Sequence, residues 1–284
     1  DSKAPVGSLI GIYPIQGKGV VNGSSHKKLL AIGNLKQPVH AWGEIYTGIS
    51  AKDYMDGTSN FYGVHAVTLY VDSVQVFKST TDKVLPDENR MINGFTDYEE
   101  LTRTRRLIMR SYKLPGNRLR LLHPNENRGA VTIDEERDYH FRYVLEDNFG
   151  NRRTYQFIVK GKRQDIPEYK PEANEMLYWN RTNVIQKPGM ELVVPRYYVY
   201  EDVPLRTDMR GDSSHIAFDY ILDAGRTPIH SYCDLSIGLR HMPVADTTKY
   251  YIVQKAGKWR SSMGGKYANG WIKTRVRSLG TVSV

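Results

Sequence analysis

The stretch "HFRYVLEDNFGNRRTYQFIVKG", residues 140–161, decides the fold class of this chain. Apolar and polar side chains alternate in its first part, with the two-residue period of a β-strand that buries one face. We predict Phe141, Tyr143 and Leu145 on the buried face. The Asp, Asn and Gly in the middle, "EDNFGNRR", are the residues that hairpin turns require at positions of positive φ. The stretch therefore predicts an antiparallel β-hairpin.

The same alternation occurs in other parts of the chain. The second half of the hairpin and the segment "AVTLYVDS" each predict one apolar face, formed by Tyr155, Phe157 and Val159 and by Val67, Leu69 and Val71. The chain also has 20 tyrosines against seven phenylalanines, and tyrosine and β-branched residues are favoured in strands. We therefore predict an all-β protein.

The chain is long enough for more than one domain. It has 284 residues, 40% of them hydrophobic, which suffices for one large core or two ordinary ones. A polar, proline-bearing stretch, "GKRQDIPEYKPEANE", interrupts the strand pattern and is typical of a linker. Short apolar segments separated by Gly and Pro follow it. We predict two tandem Ig-like β-sandwich domains, 1–163 and 176–284, joined by a linker at 164–175.

One segment departs from the strand pattern: "TDYEELTRTRRLIMRSYKLPGNRLRLL", residues 96–122. Thr96 and Glu99 form the T-x-x-E pattern of a capping box. The apolar side chains that follow fall near one helical face, and they are Tyr98, Leu101, Ile108 and Tyr112. We predict an α-helix near 97–113, inserted into the first domain.

The chain is basic, with 40 Lys and Arg against 31 Asp and Glu, a net charge of +9. Such a balance favours an anionic partner: nucleic acid, anionic lipid or an acidic wall polymer. Seven basic residues lie between Arg103 and Arg120 with no carboxylate among them. The run supplies five candidate binding residues: Arg103, Arg105, Arg106, Arg110 and Lys113. The favoured interpretation is nevertheless the solvated side of an ordinary amphipathic helix. The run lacks the interleaved aromatic residues of single-strand binders, so we predict no nucleic-acid partner.

Cysteine usage and hydropathy restrict the remaining classes. Cys233 is the only cysteine, which excludes an internal disulfide and predicts a small, buried, unreactive side chain. No apolar run approaches the ~20 residues that a membrane helix needs, so we predict no transmembrane segment. The chain begins "DSKAP" without an initiator Met and ends in the strand-like "GTVSV". We expect a processed product or a segment of a longer protein.

Two H-x-x-x-D pairs are weak candidates for metal ligands: His215 with Asp219, and His230 with Asp234. In a strand this spacing places both side chains on one face. A catalytic zinc takes three protein ligands and an open position, and the sequence has no H-x-H pair to complete such a set. Strand histidines that only pack or form hydrogen bonds are the commoner alternative.

The loop "KDYMDGTSN", residues 52–60, is a weak candidate for a calcium site. Asp53, Asp56, Ser59 and Asn60 offer the oxygen ligands that calcium prefers. Their spacing is not that of an EF-hand, and the same residue types form ordinary tight turns. The turn is the favoured interpretation. The sequence also has no Walker loop, dinucleotide fingerprint or G-x-S-x-G motif.

Several stretches together carry a resemblance to a known family. They are "DSKAPVGSLIGIYPI", "VVNGSSHKK", "GEIYTGISAKDYMDGTSNFYGVHAVTLYVDS", "NRMINGFTDYEE", "EDNFGNRRTYQFIV", "YYVYEDVPL" and "GGKYANGWIKTRVRSLGTVSV". Over nearly its whole length the chain resembles the region that follows the catalytic domain in lysostaphin/LytM-type zinc endopeptidases of Gram-negative envelopes. Those enzymes cut peptidoglycan peptides.

The resemblance implies a non-catalytic role. In that family the peptidase domain carries H-x-x-x-D followed by H-x-H, which supply the zinc ligands and a catalytic histidine. Neither H-x-x-x-D here has the family's surrounding glycine, and H-x-H is absent, so we carry over no catalytic residue. The resemblance implies Ig-like accessory domains in the cell envelope, periplasmic or surface-exposed. It places the peptidase domain and its zinc upstream, leaves no cofactor in this chain, and gives that domain, peptidoglycan or an envelope protein as partners.

Three hypotheses follow. The first is an accessory region of an envelope murein endopeptidase, which positions or regulates the peptidase or binds wall or partner. The second is a surface adhesin or carbohydrate-binding module, in which tryptophans stack on sugar rings. Its candidates are Trp42, Trp179, Trp259 and Trp271, although tryptophans in sandwiches more often pack. The third is a metal-dependent enzyme that uses the two histidine pairs.

Overall fold

A computed structural model describes residues 2–58 and 60–284. Strands account for 48% of the residues and helices for 7%, which confirms the prediction of an all-β protein. The chain divides into two compact units. Unit 1 comprises Asp1–Leu114 and Arg118–Lys170, and unit 2 comprises Pro115–Asn117 and Pro171–Val284.

The described part of unit 1 has eleven strands and two short α-helices. The strands β1 to β11 are Val6–Val21, Lys28–Ala31, Val39–Tyr54, Phe61–Tyr62, Ala66–Val71, Val74–Thr80, Met109–Arg110, Leu122–Pro124, Val131–Ile133, Asp138–Glu146 and Arg152–Gly161. The helices α1 and α2 are Ile92–Phe95 and Tyr98–Thr104. The strands form one hydrogen-bonded sheet with the order β2-β1-β3-β11-β10-β5-β6-β8, and β3 also pairs with β4, β7 and β9.

The predicted hairpin is formed by β10 and β11, which pair antiparallel up to Glu146 opposite Arg152. Its turn is closed by the buried Asp147, whose Oδ1 accepts hydrogen bonds from the backbone N–H groups of Phe149 and Asn151, each at 2.8 Å. Gly150 has φ +86°, a conformation that costs glycine little and other residues more. The Asp, Asn and Gly residues of this stretch therefore form the hairpin turn that the sequence predicts.

The buried faces agree with the alternation. Phe141, Tyr143 and Leu145 are all buried, as predicted. The Tyr143 hydroxyl lies 2.7 Å from Thr47 Oγ1 and 2.8 Å from Ser111 Oγ. Burial raises the pKa of this phenol, because the phenolate would lose its hydration. Val67, Leu69, Val71, Phe157 and Val159 are also buried, and Tyr155 is half-buried.

The predicted capping box is wrong by one residue. The N-cap of α2 is Asp97, whose Oδ1 accepts a hydrogen bond from the Glu100 N–H at 3.1 Å. Thr96 Oγ1 instead donates to the carbonyl of Asn93, at 3.3 Å. Both residue types cap helices well, so the sequence alone does not separate them.

The predicted helix near 97–113 is also too long. The helix ends at Thr104, where Arg105 takes a left-handed conformation with φ +64°. The chain then extends, buries Ile108 and forms β7, which pairs antiparallel with β3. Pairing with β3 satisfies the backbone groups of this segment, and this tertiary interaction outweighs the helical spacing of its apolar residues.

Unit 2 is a β-sandwich. Its strands β12 to β22 are Glu175–Leu177, Asn183–Lys187, Met190–Val194, Val203–Arg210, Asp219–Asp223, Cys233–Gly238, Ile252–Ala256, Trp259–Gly264, Lys266–Ala268, Trp271–Val276 and Thr281–Ser283. They form two sheets, ordered β12-β15-β16-β22-β18-β19 and β13-β14-β17-β21-β20. Both sheets contribute to one core, which includes Leu205, Tyr220, Ile252, Leu192, Leu235 and Ile272.

Cys233 lies in that core and is fully buried. Burial is the main cause that raises the pKa of its thiol to about 12, since the thiolate would lose its hydration.

Within residues 2–58 and 60–284, no helix has the length and apolar character needed to span a bilayer.

Candidate binding surface

Part of the predicted basic run is ion-paired within unit 1. Arg103 Nη2 lies 2.9 Å from Glu100 Oε2, and Arg106 Nη1 lies 3.3 Å from Glu100 Oε1. The Glu100 side chain is only 1% exposed. These two arginines therefore neutralise a carboxylate inside the fold, in addition to contacting solvent.

The same carboxylate belongs to a larger network at the start of α2. Lys27 Nζ lies 3.2 Å from Glu100 Oε2 and 2.7 Å from Asp97 Oδ2, and the Tyr13 hydroxyl donates to Asp97 at 3.0 Å. Burial alone raises the pKa of Glu100, but hydrogen bonds from Arg103 and Lys27, with others, outweigh it and lower the pKa below its ordinary value. All of these contacts join side chains of unit 1, so the network serves to stabilise its fold.

Arg120, at the C-terminal end of the basic run, is also ion-paired. Arg120 Nε lies 2.6 Å from Glu88 Oε1 and its Nη2 lies 3.1 Å from Oε2. These hydrogen bonds are the main reason that the pKa of Glu88 falls to about 2. The bidentate pair fixes the loop before α1 to the segment before β8.

The other three candidates differ in exposure. Arg105 is exposed, whereas Arg110, on β7, and Lys113 are half-buried. Burial lowers the pKa of Lys113. Of the five candidates, Arg103, Arg105 and Arg106 are thus the exposed ones, and two of these three pair with Glu100.

The first histidine pair is not arranged on one strand face. His215 lies in the loop before β16, and its Nδ1 is 3.0 Å from Asp212 Oδ1. Asp219 begins β16 and binds Lys255, with Nζ 2.7 Å from Oδ2. The same-face argument for a strand therefore does not apply to these two residues.

The second histidine pair, His230 and Asp234, also has one residue in a loop and one on a strand. His230 precedes β17, and its Nδ1 lies 3.0 Å from the Tyr200 hydroxyl. Asp234 is exposed on β17, opposite Arg275 of β21. Across residues 2–58 and 60–284, no three His, Cys, Asp or Glu side chains are grouped so that they could hold a metal ion.

The proposed calcium loop has two aspartates in different environments. Asp53 is buried at the end of β3, and burial, followed by the charge of Asp147, raises its pKa. Asp56 is exposed; its Oδ2 accepts a hydrogen bond from the Ser2 N–H at 2.8 Å, and its Oδ1 is 3.8 Å from Lys3 Nζ. Ser59 lies outside the described residues.

One of the four tryptophans is far more exposed than the other three. Trp42, Trp179 and Trp271 are half-buried. The Arg163 guanidinium lies 5.3 Å from the Trp42 ring centroid, and Trp179 packs against the core of unit 2. Trp259 is 81% exposed.

Trp259 lies in a region with an unusual charge distribution. Residues 171–246 contain seven Lys and Arg against 11 Asp and Glu, whereas residues 247–284 contain eight Lys and Arg and no Asp or Glu. The positive charge of unit 2 is thus concentrated in its last five strands, β18 to β22. A concentration of exposed charge of one sign attracts counter-charged partners.

The β18–β19 hairpin displays Trp259 at its tip. Ala256 pairs with Trp259, so that Gly257 and Lys258 form a two-residue turn. Gly257 has φ +60°, which such turns require at their first central position when they are of type II′. Residues 257–262 are exposed without interruption. Since successive strand residues point to opposite faces, neither face of the hairpin end is covered.

Most of the cations here have no carboxylate partner. Lys255 binds Asp219. Within the described part of the chain, no carboxylate lies within ion-pair distance of Lys258, Arg260, Lys266 or Lys273.

Two cross-strand pairs even place like charges opposite each other. Lys255 of β18 pairs with Arg260 of β19, and Lys266 of β20 pairs with Lys273 of β21. Like charges at such positions are destabilising. An anion bound on this surface would relieve that repulsion.

Sequence reasoning missed this surface, although a signal was present. The run between Arg103 and Arg120 has the higher local density of cations, but the absence of acid over residues 247–284 is longer. The exposure of Trp259 has no sequence signal of its own, because a tryptophan at a strand position packs more often than it projects.

Fold and surface together define an all-β chain with a basic, tryptophan-bearing hairpin on its second unit. A family model for a Zu5-like domain matches residues 174–284, within unit 2. No curated protein matches the chain.

Proposed function

We propose that this chain is a non-catalytic accessory region of a LytM-type peptidoglycan endopeptidase, which holds the peptidase domain against its substrate by binding envelope material. The resemblance of the sequence to that region supports the proposal. The all-β architecture is compatible with this role but does not by itself argue for it, because one fold serves many functions. In this proposal the zinc and the catalytic residues lie in the upstream domain, and the location is the cell envelope.

The observation that carries the proposal is a set of exposed cations in the acid-free segment 247–284. Lys258, Arg260, Lys266 and Lys273 are exposed, and no carboxylate of the described residues lies within ion-pair distance of them. In unit 1, by contrast, Arg103 and Arg106 are engaged with Glu100. Cations with no internal partner are available to an anionic ligand without loss of native ion pairs.

Cosedimentation with isolated envelope material tests the proposal. We expect the chain to pellet with the envelope fraction at low salt and to be released as salt rises, because exposed charges are screened. Reversal of Lys258 and Arg260 to Glu should reduce the bound fraction. If the wild-type chain stays in the supernatant at low salt, the proposal is wrong.

Metal content and digestion distinguish the proposal from an independent enzyme. We expect the purified chain to cleave no peptidoglycan and to hold no stoichiometric transition metal. Stoichiometric zinc together with cleavage would contradict the accessory role and would direct attention to His215, Asp219, His230 and Asp234.

The second candidate is an adhesin or carbohydrate-binding module, and the exposure of Trp259 is the observation that favours it. An exposed indole can stack on a sugar ring. In that case a neutral glycan should bind, binding should resist salt, and only Trp259→Ala should abolish it. The charge reversal Lys258→Glu with Arg260→Glu separates the two candidates, since it leaves the indole in place.

A further inference from the structure

We propose that the β18–β19 hairpin docks on an anionic phospholipid bilayer, with Trp259 in the interfacial region and its flanking cations on the lipid phosphates. This inference rests on the proposed function and deepens it, since it names the envelope component that unit 2 binds. The argument uses the shape of the hairpin, the position of its one large apolar side chain, and the charge around it.

The shape favours a planar partner. Residues 257–262 are exposed on both faces, and β19 is the last strand of its sheet, pairing only with β18. The tip is therefore convex. A convex, two-sided tip can enter a soft interface, whereas sugar recognition uses a groove or a flat platform.

The chemistry of the tip matches a bilayer interface. Trp259 and Arg260 are neighbours in a strand and therefore point to opposite faces, with Lys258 in the adjoining turn. Tryptophan is favoured at the level of lipid headgroups, because its ring is apolar and its N–H can form a hydrogen bond. Lysine and arginine extend their charged ends to the phosphates while their stems stay near apolar groups.

The charge of the surrounding segment matches an anionic leaflet. Lys266 and Lys273, directly opposite each other, add charge in the same acid-free segment. A basic residue near an anionic membrane strengthens binding about fivefold. An inserted ring and several cations are two signals of different kinds, and two signals are what stable membrane attachment takes. A nucleic acid is less well matched, because single-strand binders use a series of stacked aromatic side chains, and this tip offers one.

The experiment compares the whole chain on two kinds of vesicle. One is pure phosphatidylcholine, and the other is equal parts phosphatidylcholine and phosphatidylglycerol. We expect binding to the second alone, measured by cosedimentation, with a blue shift of tryptophan emission as the Trp259 indole leaves water. Trp259→Ala should weaken partitioning about tenfold or more and abolish the shift, while Trp259→Phe should retain most of the binding.

A charge-matched control isolates the hairpin. The double variant Lys258→Glu with Arg260→Glu should weaken partitioning by at least about 25-fold, since it removes two cations at about fivefold each and also adds two anions. The control, Lys28→Glu with Arg153→Glu, makes the same net change at exposed strand positions of unit 1. It should leave binding within about twofold. Both variants alter exposed side chains, and thermal unfolding verifies that each is folded.

Each outcome has a distinct meaning. Equal losses in the hairpin variant and in the control would show attraction by net charge alone and would overturn the proposal. An unshifted emission on bound vesicles would overturn the role of Trp259. Binding to isolated walls or to the envelope fraction, but not to anionic vesicles, would overturn the lipid assignment and leave the proposed function standing. Binding to none of these would overturn both.

Discussion

The Glu100 network gives the sharpest test of the structure of unit 1. We expect Glu100→Gln to destabilise unit 1 by about 2 kcal/mol. The substitution retains the volume of the side chain and a group that can accept the Thr104 hydroxyl, now 3.0 Å away. What it removes is the negative charge that faces Lys27, Arg103 and Arg106.

The magnitude follows from the exposure of the three partners. The side chains of Arg103 and Arg106 are 55% and 47% exposed, so each contributes about 0.5 kcal/mol, as surface pairs do. Lys27 is 20% exposed, and its charged hydrogen bond contributes about 1 kcal/mol after discount for that exposure. The sum is well below the ~3–5 kcal/mol of a fully buried pair, because Lys27 keeps its contact with Asp97.

Calorimetry measures the effect. For a unit of this size, 2 kcal/mol corresponds to a decrease in Tm of about 4–8 °C. Leu235→Ala, which empties a fully buried position of unit 2, is the control that identifies the transition of the other unit. Glu100→Gln should lower the Tm of only that unfolding transition whose Tm Leu235→Ala does not change.

The dependence on pH provides the decisive check. The folded pKa of Glu100 is lowered, so its stabilisation is present above the unfolded value of about 4.3 and is lost as pH falls through the folded pKa. The difference in Tm between wild type and variant should therefore shrink as pH falls below about 4. A variant as stable as wild type at neutral pH, or an undiminished difference in acid, would refute this reasoning.

Three further outcomes follow from single buried or paired groups. Tyr143→Phe should destabilise unit 1 by about 1 kcal/mol, seen as a lower Tm, because it removes a hydroxyl with two buried partners. Cys233 should react with a thiol reagent only on unfolding, since its pKa of about 12 and its burial keep the thiolate scarce; reaction at the rate of a free thiol would contradict the buried position. In a carboxyl NMR titration Glu88 should titrate near pH 2, and Arg120→Gln should return that midpoint toward about 4.3.

The strands could be predicted from the sequence because their signal is local. Alternation over residues 140–161 identifies a buried face without knowledge of what covers it, and the turn residues specify where the chain reverses. Phe141, Tyr143 and Leu145 are accordingly buried where the pattern places them.

The helix could be predicted only in part, because its end depends on a distant strand. The apolar spacing up to residue 113 fits a helix, but Met109–Arg110 pairs with Gly48 and Ile49 of β3, some 60 positions earlier in the chain. Backbone pairing of that kind leaves no local pattern. The same limit explains the cap, where Asp97 is chosen over Thr96 by its contacts with Lys27 and Tyr13.

The ion pairs within the basic run could not be predicted for a related reason. The number of like charges in a sequence window measures how basic that segment is. Whether those charges are available to a ligand depends on the carboxylates that the fold brings near them. Arg120 meets Glu88 from 32 positions away, and Glu100 meets Arg103 and Arg106 from just outside the run. Even the longer acid-free segment meets a distant carboxylate, since Asp219 pairs with Lys255 from 36 positions away.

The two basic regions therefore differ in what a ligand would do to them. Withdrawal of Arg103 and Arg106 toward an external anion would leave the buried Glu100 charge with fewer partners, and that loss opposes binding. At Lys266 and Lys273 the native state already contains a cross-strand repulsion, and an anion reduces it. Binding and folding are thus opposed in the first region and coupled favourably in the second. That difference in sign, more than the number of cations, is the reason that we propose the binding surface on unit 2.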